Sequence, residues 1–298
     1  TATAPTLQVN DTGAKPMYIG TEALKPMQIR AGKLYEFIYD GEYWQLLNPE
    51  HLAEFLTERS CLETTGMGNV KDALAVIRTA FLGGGYETAY SAIGLGDWLD
   101  IPEISAGSLG VLGNTSGNLR IRIAGFNTYD GVGDTDSGKG ILWEFANGAF
   151  LHNMNDTATN ADGYAASGLK ALLNGDFLSG LTAAIGITPA TAHRLIDTKD
   201  GWAWLAEQCF LPQETEVFGH QAWGKNLGFS TGSGAQWQIY AVTPQKRCKK
   251  YNGARYWWWE ASRRTDITTG FCNVGSLGSA HYYSAAGVAA VSPALYIR

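Results

Sequence analysis

The side chains best suited to contact a ligand are concentrated near the C-terminus. Residues 263–283 are built from Arg, Thr, Asp, Ser, Asn, Gly, His and Tyr, with single apolar residues between them. Rigid aromatic anchors among small polar residues are typical of antibody paratopes. The composition therefore predicts a contact surface whose candidate ligand-binding residues are Arg263, Arg264, Thr265, Asp266, Thr268, Thr269, Asn273, Ser276, Leu277, Ser279, His281, Tyr282 and Tyr283.

Within this segment, the tyrosines and arginines are the strongest candidates. Tyr282 and Tyr283 offer large amphipathic area at a small entropic cost, and arginine is enriched among binding hot spots. Alternation over residues 271–274 predicts a strand with Phe271 and either Cys272 or Val274 turned inward. A turn should follow at residues 275–278. The alternative is a surface hairpin whose tyrosines are incidental, since exposed polar loops are common on any domain.

Signals for metal or nucleotide chemistry are weak. Asp130, Asp134 and Asp136 lie in a glycine-rich loop that could bind calcium, but the EF-hand ligand order is absent. The alternative is a solvent loop in which Asp and Gly favour turns. The five histidines show no i, i+4 pair, and no phosphate-binding glycine motif occurs. We therefore predict no metal and no cofactor.

The cysteines do not form a recognisable catalytic or zinc-binding set. They are spread too widely for a zinc cluster and lack a CxxC pair: Cys61, Cys209, Cys248 and Cys272. Most are expected to be buried thiols, although a bridge between Cys248 and Cys272 is left open. No Gly-x-Ser-x-Gly elbow with suitable partners is present. The sequence thus predicts a protein that is not an enzyme.

Composition excludes some classes of partner. The 298 residues, 45% of them hydrophobic, are enough for a large core. The net charge of −6 argues against a nucleic-acid binder. Residues 246–298 nevertheless carry +6 and residues 1–245 carry −12, so the basic end could steer an acidic partner. No apolar run reaches about 18 residues and no export signal begins the chain, so neither membrane insertion nor secretion is predicted.

Two regions differ in their periodicity. Residues 1–50 predict a small β module with strands at 6–9, 17–19 and 33–39 and a hairpin at Asp40-Gly41. A module this short buries little core, so it should pack against other surfaces or copies of itself. Residues 51–298 predict one mixed α and β domain, with helices at 51–59, 69–82, 164–173 and 177–184 and strands at 119–126, 141–145 and 288–297.

A variable surface requires a rigid frame around it. Three tryptophans precede the polar segment, and an apolar run follows it. We therefore predict that the following residues pack into the core: Trp257, Trp258, Val288, Val291 and Leu295.

An ordered set of short motifs resembles a family of phage and prophage tail proteins. They include GDWLD at 96–100, LRIR at 119–122, HNMN at 152–155, FLPQETEVFG at 210–219, WWEAS at 258–262 and FCNV at 271–274. The start of the chain is also similar to a short β module of bacteriophage tail fibres and tail tips. The resemblance implies an α+β fold, with a C-type-lectin-like domain related to the formylglycine-generating enzyme after the N-terminal β module.

The resemblance extends to the variable proteins of diversity-generating retroelements, in which a reverse transcriptase rewrites adenines in a C-terminal segment. It implies a hypervariable receptor-binding protein at a phage tail tip, with a variable region at about residues 257–298. The expected partners are a host cell-surface protein or glycan, other tail proteins and two further copies in a homotrimer. The expected location is the virion tail, assembled in the bacterial cytoplasm.

Residue types provide a test of this implication. An Asn codon randomised at its adenines can encode every residue except Lys, Glu, Gln, Met and Trp. Those types supply 48 of the 298 residues, and none lies in residues 263–298. Glu260 and the tryptophans would then mark the invariant edge of the variable segment.

Two other functions are consistent with the sequence. A structural tail or baseplate protein would have the same fold without a diversified site. An oxidising enzyme related to the formylglycine-generating fold would need a reactive cysteine pair, and the cysteines here lie in no recognisable motif. The calcium-dependent sugar-binding signatures of C-type lectins are also absent, which disfavours recognition of sugars through calcium.

Overall fold

The computed structural model describes residues 6–10, 13–19, 22–24, 35–47, 70–82, 93–198, 201–225 and 235–298. Across these residues the fold is α+β, with many short strands and few helices. The predicted helix at 51–59 and the boundary at residue 50 lie outside the described residues.

The described N-terminal residues form a small sheet. Its strands are β1 (Thr6–Leu7), β2 (Lys15–Ile19), β3 (Glu22–Ala23), β4 (Phe37–Tyr39) and β5 (Trp44–Leu46). They run in the order β1-β2-β5-β4, and β3 pairs with β2. The predicted hairpin at Asp40-Gly41 is confirmed: Asp40 Oδ1 accepts the Glu42 and Tyr43 amides at 2.9 and 2.7 Å, while Gly41 has a φ of 105°.

Helix α1 (Val70–Leu82) confirms the predicted amphipathic helix. Val70, Leu74 and Ile77 recur at helical spacing and are all buried, so one face of the helix joins the core. The predicted cap at Asn69 and the side chains of Ala80 and Phe81 lie outside the described set.

The middle of the chain follows in alternating strands and helices. Its strands are β6 (Trp98–Asp100), β7 (Ile104–Ser105), β8 (Val111–Leu112), β9 (Arg120–Phe126), β10 (Ile141–Phe145) and β11 (Phe150–Asn153). Helices α2 (Gly168–Leu172) and α3 (Leu178–Ile185) are joined through a π turn at Leu173–Phe177. The two helices predicted at 164–173 and 177–184 are therefore one interrupted helical segment, preceded by a 3-10 turn at Tyr164–Ala166.

The remaining elements complete the domain. They are β12 (Ala192–Thr198), β13 (Gly201–Glu207), β14 (Cys209–Phe210), α4 (Glu214–Phe218), α5 (Gln238–Val242), β15 (Lys250–Tyr251), β16 (Ala254–Arg255), β17 (Trp258–Arg263), β18 (Gly270–Val274), β19 (Ala280–Ser284), β20 (Val288–Val291) and β21 (Ala294–Ile297). Short 3-10 turns occur at Gly107–Leu109 and Pro244–Arg247.

Two larger sheets organise these strands. One runs β14-β21-β10-β9-β6 and the other runs β11-β20-β17-β18-β19. The strand predicted over residues 288–297 is two strands, one in each sheet. The chain crosses between the sheets at Ser292 and Pro293, where proline lacks the amide that a continuous ladder requires.

The frame prediction is only partly right. Trp258, Val291 and Leu295 have no exposed surface, as predicted, but Trp257 is 39% exposed and Val288 is 52% exposed. Trp258 and Trp259 are successive residues of β17 and enter different hydrophobic clusters. Because successive side chains on a strand point to opposite faces, a run of tryptophans cannot enter a single core.

Strand β9 also has both faces covered. Leu119, Ile121 and Ile123 are fully buried, as their alternation predicts. Arg122, on the opposite face, is only 6% exposed and bonds to Glu144 of β10 at 2.8 Å. The arginine face is covered because the segment around Lys249 packs against it, and Lys249 Nζ lies 2.6 Å from Glu144.

A second buried polar network joins β12 to α4. Arg194 is fully buried and donates to Glu207 at 3.1 Å and to Glu216 at 2.5 Å. The Tyr129 hydroxyl also donates to Glu216, at 3.0 Å. Burial, only partly offset by Arg194, raises the pKa of Glu207 to about 7. This network fixes the position of α4, which packs against β17. None of the helices in the described ranges is long and apolar enough to cross a membrane.

Candidate functional site

The candidate surface is centred on the hairpin of β18 and β19. Strand β18 pairs with β17 on one side and with β19 on the other, and β19 ends the sheet order. The register places Cys272 opposite Tyr282 and Phe271 opposite Tyr283. Phe271, Cys272 and Val274 are fully buried, which confirms the predicted strand and shows that it is covered on both faces. The predicted turn at residues 275–278 is also present.

One face of β19 carries an aromatic patch that we define as Trp257, His281 and Tyr283. The ring centroids of Trp257 lie 5.6 Å from His281 and 5.2 Å from Tyr283, both in edge-to-face contact. Beside the patch lies a pocket of about 210 Å³ lined by Trp257, His281 and the turn, including Leu277, which is 74% exposed. Exposed aromatic and aliphatic surface at a sheet edge can contact a partner without further folding.

The opposite face of β19 carries a cation and aromatic cluster that we define as Trp223, Arg264 and Tyr282. The Arg264 guanidinium carbon lies 3.5 Å from the centre of the Tyr282 ring and 5.1 Å from that of Trp223. Arg264 also bonds to Asp266 at 2.7 Å, and this hydrogen bond raises the pKa of the guanidinium above its ordinary value. The cluster holds a planar donor group over a ring at the surface, an arrangement suited to polar recognition.

The loop between β17 and β18 is held through its main chain. Asn160 is buried, and its side-chain amide lies 2.8, 3.0 and 2.6 Å from the carbonyl oxygens of Arg264, Ile267 and Gly270. Its backbone amide also donates to the Thr268 carbonyl at 2.8 Å. These contacts do not depend on which side chains the loop carries, because they use only its carbonyl groups. The sequence analysis missed Asn160, and no motif around it signals the contact.

The structure sorts the thirteen candidate residues by exposure. Eight of them are exposed: Thr265, Asp266, Thr268, Thr269, Leu277, Ser279, His281 and Tyr283. Four are half-buried: Arg263, Arg264, Ser276 and Tyr282. The remaining residue, Asn273, is fully buried.

Asn273 is therefore a correction to the predicted surface. It lies opposite Trp259 on β17 and opposite His281 on β19, so both neighbouring strands shield it. Its amide oxygen and nitrogen have no hydrogen-bond partner in the structure. The polar composition of the surrounding segment suggested an exposed side chain, whereas β18 is an inner strand that lies between β17 and β19.

Arg263 also has a structural contact. Its Nε lies 2.7 Å from Asp197 Oδ2, and its Nη2 donates to the Thr198 carbonyl at 3.1 Å. Burial raises the pKa of Asp197, although Arg263 partly counters this effect. Arg263 thus ties the end of β17 to the end of β12, which limits how freely this position can vary.

Trp223 and Trp257 belong to the surface although the sequence analysis did not select them. Trp223 is 37% exposed and follows α4, where its amide donates to Glu214 at 3.1 Å. Strand alternation would place Trp257 on the same side as Trp259, which is buried, so the sequence pattern gave no signal that Trp257 is exposed.

The fixed side of the site contains buried acids. Glu260, on β17, is fully buried, and neither carboxylate oxygen has a partner in the structure. Burial, reinforced by the nearby charge of Glu214, raises the pKa of Glu260 well above its ordinary value. The raised pKa favours the neutral form of this acid, which lies beneath a surface that it does not reach.

The aspartate loop at residues 130–140 is held by its own backbone. Asp136 Oδ1 accepts the amides of Gly131 and Gly138, both at 2.8 Å, and these bonds hold the pKa of Asp136 below its ordinary value. Asp134 instead pairs with His193 at 2.9 Å. No group of three or more His, Cys, Asp or Glu side chains in the described part of the chain is placed to hold a metal ion.

The described cysteines are free thiols. Cys209 and Cys272 are buried, and Cys248 is half-buried. The bridge left open between Cys248 and Cys272 is not formed. Burial raises the pKa of Cys272 well above its ordinary value, which disfavours the reactive thiolate.

Comparison with known families adds one finding. The model of the family described as a domain of unknown function, DUF6273, matches residues 141–298, more than half of the chain. The chain belongs to the DUF6273 family. The matched segment begins with β10 and includes all of β17, β18 and β19, so the candidate surface lies within the DUF6273 domain. No curated protein and no solved structure matches the chain.

Proposed function

We propose that this DUF6273 protein binds a ligand through a diversified surface on a C-type-lectin-like scaffold. In this proposal it is a receptor-binding protein at a phage tail tip, where it contacts a host cell-surface protein or glycan. Its location is then the virion tail, to which it is added in the bacterial cytoplasm together with other tail proteins.

The observation that carries the proposal concerns the loop at residues 264–269. Hydrogen bonds to its main chain hold this loop in place, while its threonine side chains face solvent. Asn160 and Ala285 hold this loop through its carbonyl groups, with Ala285 N donating to the Thr269 carbonyl at 2.8 Å. Thr265, Thr268 and Thr269 have exposed side chains. A surface built in this way can change its chemistry without losing the contacts that fold it.

Sequence composition supports the same conclusion. The five residue types that adenine randomisation of an Asn codon cannot produce are absent from residues 263–298. The last residues of the excluded types before this segment are Trp258, Trp259 and Glu260, and all three are buried. The residue types that adenine randomisation excludes therefore end at Glu260, within the buried part of β17, whose first half-buried residue is Arg263.

The chemistry of the surface suggests how a ligand is held. The Trp257, His281 and Tyr283 patch offers apolar area with polar edges, which suits an aromatic or aliphatic side chain or the apolar face of a sugar. Arg264 on the opposite face of β19 binds Asp266 through Nε and Nη2, and its Nη1 is the donor left to a carbonyl or carboxylate of the ligand. Because Tyr282 and Tyr283 point to opposite faces of an edge strand, a ligand that wraps the edge can contact both.

A structural tail or baseplate protein is the second candidate. It accounts for the same scaffold, and the regular packing of Trp223 and Tyr282, with ring centroids 4.9 Å apart, is compatible with a fixed contact to a neighbouring tail protein. The two functions differ in whether the exposed residues can be replaced freely.

Two libraries distinguish them. In the first, codons for Ser276, Leu277 and Ser279 are randomised with the fifteen residue types that the mechanism permits. In the matched control library, Cys272, Asn273 and Val274 of the same hairpin are randomised in the same way. The fraction of soluble, cooperatively melting members is counted in each library.

We expect most members of the first library to fold, because its positions lie in the surface turn. Few members of the control library should fold, because its positions fill the core. Extending the first library to Thr265, Thr268 and Thr269 and selecting it against unrelated purified proteins should yield binders. A folded library that yields no binder would favour the structural alternative. If the folded fraction of the first library were no higher than that of the control library, the proposed surface would be contradicted.

A further inference from the structure

A separate pocket lies away from the candidate ligand surface. It has a volume of about 570 Å³ and is bordered by β6, β9, the link between β10 and β11, and the segment at residues 243–250. The basic side chains at its border are Arg120, Arg122, Lys246 and Lys250. The candidate ligand surface instead uses residues of the β17 to β19 region, so the two sites share no side chain.

Strand register brings the basic groups together. Trp98 lies opposite Arg122 on the pair of β6 and β9, and Asp100 lies opposite Arg120. Residues 120 and 122 point to the same face because they are two apart on a strand. The Arg120 guanidinium carbon lies 3.3 Å from the centre of the Trp98 ring, which fixes this cation at the pocket wall.

Two carboxylates, Asp100 and Glu144, pair with three cations at or beneath the pocket, so the pocket wall keeps a net positive charge. Asp100 binds Nε and Nη2 of Arg120 at 2.8 and 2.9 Å, so it does not engage Nη1. Glu144 accepts from Arg122 at 2.8 Å and from Lys249 at 2.6 Å. One buried carboxylate is thus shared by two buried cations.

The shared carboxylate leaves an excess of positive charge beneath the pocket. Lys249 is 1% exposed, and its ammonium is also bonded to the Phe145 carbonyl and to Ser292 at 2.8 and 2.7 Å. Burial lowers the pKa of Lys249 to about 8, although Glu144 partly counters the effect. A negative charge placed nearby would stabilise the charged ammonium, since an opposite charge favours the ionised form.

We propose that this pocket binds a small organic anion through its carboxylate or phosphate group. Lys250 and Arg120 contact the anionic group at the border, and the charge of the Arg122, Glu144 and Lys249 cluster attracts it from below. The pocket is larger than a bare phosphate needs, and Thr243, Gln245 and Asn147 border the remainder with neutral polar groups. This lining suits a ligand that carries hydroxyl groups beside its charge, such as an acidic or phosphorylated monosaccharide.

Titration calorimetry on the full chain tests this site with four probes: glucuronate, glucose 6-phosphate, inorganic phosphate and neutral glucose. The test variant is Lys250→Gln. The matched control is Arg255→Gln, because Arg255 lies opposite Lys250 on the hairpin of β15 and β16, is also exposed, and does not border the pocket.

We expect at least one of the two sugar anions to bind more tightly than both glucose and inorganic phosphate. Lys250→Gln should weaken that binding by about tenfold, the loss typical of one charged hydrogen-bond partner, while Arg255→Gln should leave it unchanged. A preference for glucuronate would identify a carboxylate ligand, and a preference for glucose 6-phosphate a phosphate ester.

Three results would overturn the proposal. These are no binding of either sugar anion at millimolar concentration, equal binding of glucose, and equal weakening by the two substitutions. The last would indicate attraction to the basic surface as a whole. A melting curve for each variant verifies that any loss of binding does not come from unfolding.

Discussion

Trp257 and Trp258 are adjacent in sequence but have different surroundings. Trp258 is fully buried, donates its indole N–H to the Arg247 carbonyl at 2.9 Å, and has the Lys249 ammonium 4.3 Å from its ring centre. Trp257 is 39% exposed, and its ring contacts His281 and Tyr283 of the aromatic patch. At the scale of single residues, the exposed surface includes Trp257, and the buried frame begins at the next residue, Trp258.

This difference predicts unequal effects of truncation. Trp258→Ala should lower the free energy of unfolding by about 3 to 5 kcal/mol, because it leaves a large cavity in the core. Trp257→Ala should cost about 1 kcal/mol or less, since it removes surface contacts. Urea denaturation of the two variants and the parent measures both values. Equal losses would show that Trp257 belongs to the frame.

Glu260 predicts a pH dependence of stability. Its pKa is raised in the folded state, so the unfolded chain loses this proton at a lower pH than the folded chain. The stability of the buried neutral acid is therefore fully present below the unfolded pKa of about 4.3, and it is lost as pH rises toward the folded pKa. Glu260→Gln cannot ionise and escapes this loss.

The free energy of unfolding of Glu260→Gln, relative to the parent, should thus increase between pH 4 and pH 8. Urea denaturation at a series of pH values measures it, and Glu103→Gln is the control because Glu103 is exposed. A difference that stays constant across this range would contradict the raised pKa of Glu260.

Residue-level exposure was the least predictable part of the site. Sequence composition selected Tyr282, Tyr283 and the exposed threonines, because polar and aromatic types reveal a surface segment. It wrongly added Asn273, whose burial depends on β19 covering β18. The pairing that buries it joins separate segments of chain, and local composition does not contain that information.

At the scale of elements, the loop of residues 264–269 depends on one buried side chain. Asn160→Ala removes the side-chain amide from the carbonyls of Arg264, Ile267 and Gly270. Leaving buried carbonyl groups unpaired costs about 1 to 3 kcal/mol. We expect faster amide hydrogen exchange in residues 264–270 and little change in β10.

Thr268→Ala is the matched control for the loop. Its side chain is exposed, and the Asn160 amide contacts only its carbonyl, which the substitution keeps. Its hydrogen exchange should equal that of the parent. If the amides of Asn160→Ala also exchanged at the rate of the parent, other contacts would hold the loop. The proposal that Asn160 supports the loop through its main chain would then be contradicted.

Elements with a strong local pattern were predicted well. The Asp40-Gly41 hairpin and helix α1 follow from turn chemistry and helical periodicity. The run at 288–297 was predicted as one strand because apolar residues flank Pro293 on both sides. Its division between two sheets depends on tertiary packing, with the Pro293 carbonyl accepting the Phe145 amide at 2.9 Å.

At the scale of the whole molecule, assembly remains a prediction. The N-terminal sheet has few buried side chains among its described residues: Met17, Leu24 and Leu46. Such a sheet gains stability by packing on copies of itself. We therefore expect a homotrimer that depends on residues 1–50, in which three copies of a modest site produce avidity.

Light scattering with size-exclusion chromatography tests this assembly. The full chain should have three times the monomer mass of 32.1 kDa at micromolar concentration, and a chain that lacks residues 1–50 should elute as a monomer. A full chain that elutes as a monomer would contradict the predicted trimer and the avidity that depends on it. A shortened chain that still forms trimers would show that the interface lies within residues 51–298.

Natural sequence variation tests the diversified surface most directly. Deep sequencing of the gene across a population of its host should find substitutions concentrated at exposed positions such as Thr265, Thr268, Leu277 and Ser279. The changes should arise at adenines of a nearby template repeat, while codons for Trp258, Trp259 and Glu260 stay constant. Uniformly rare variation, or variation as frequent at these three buried residues as at the exposed ones, would contradict the account.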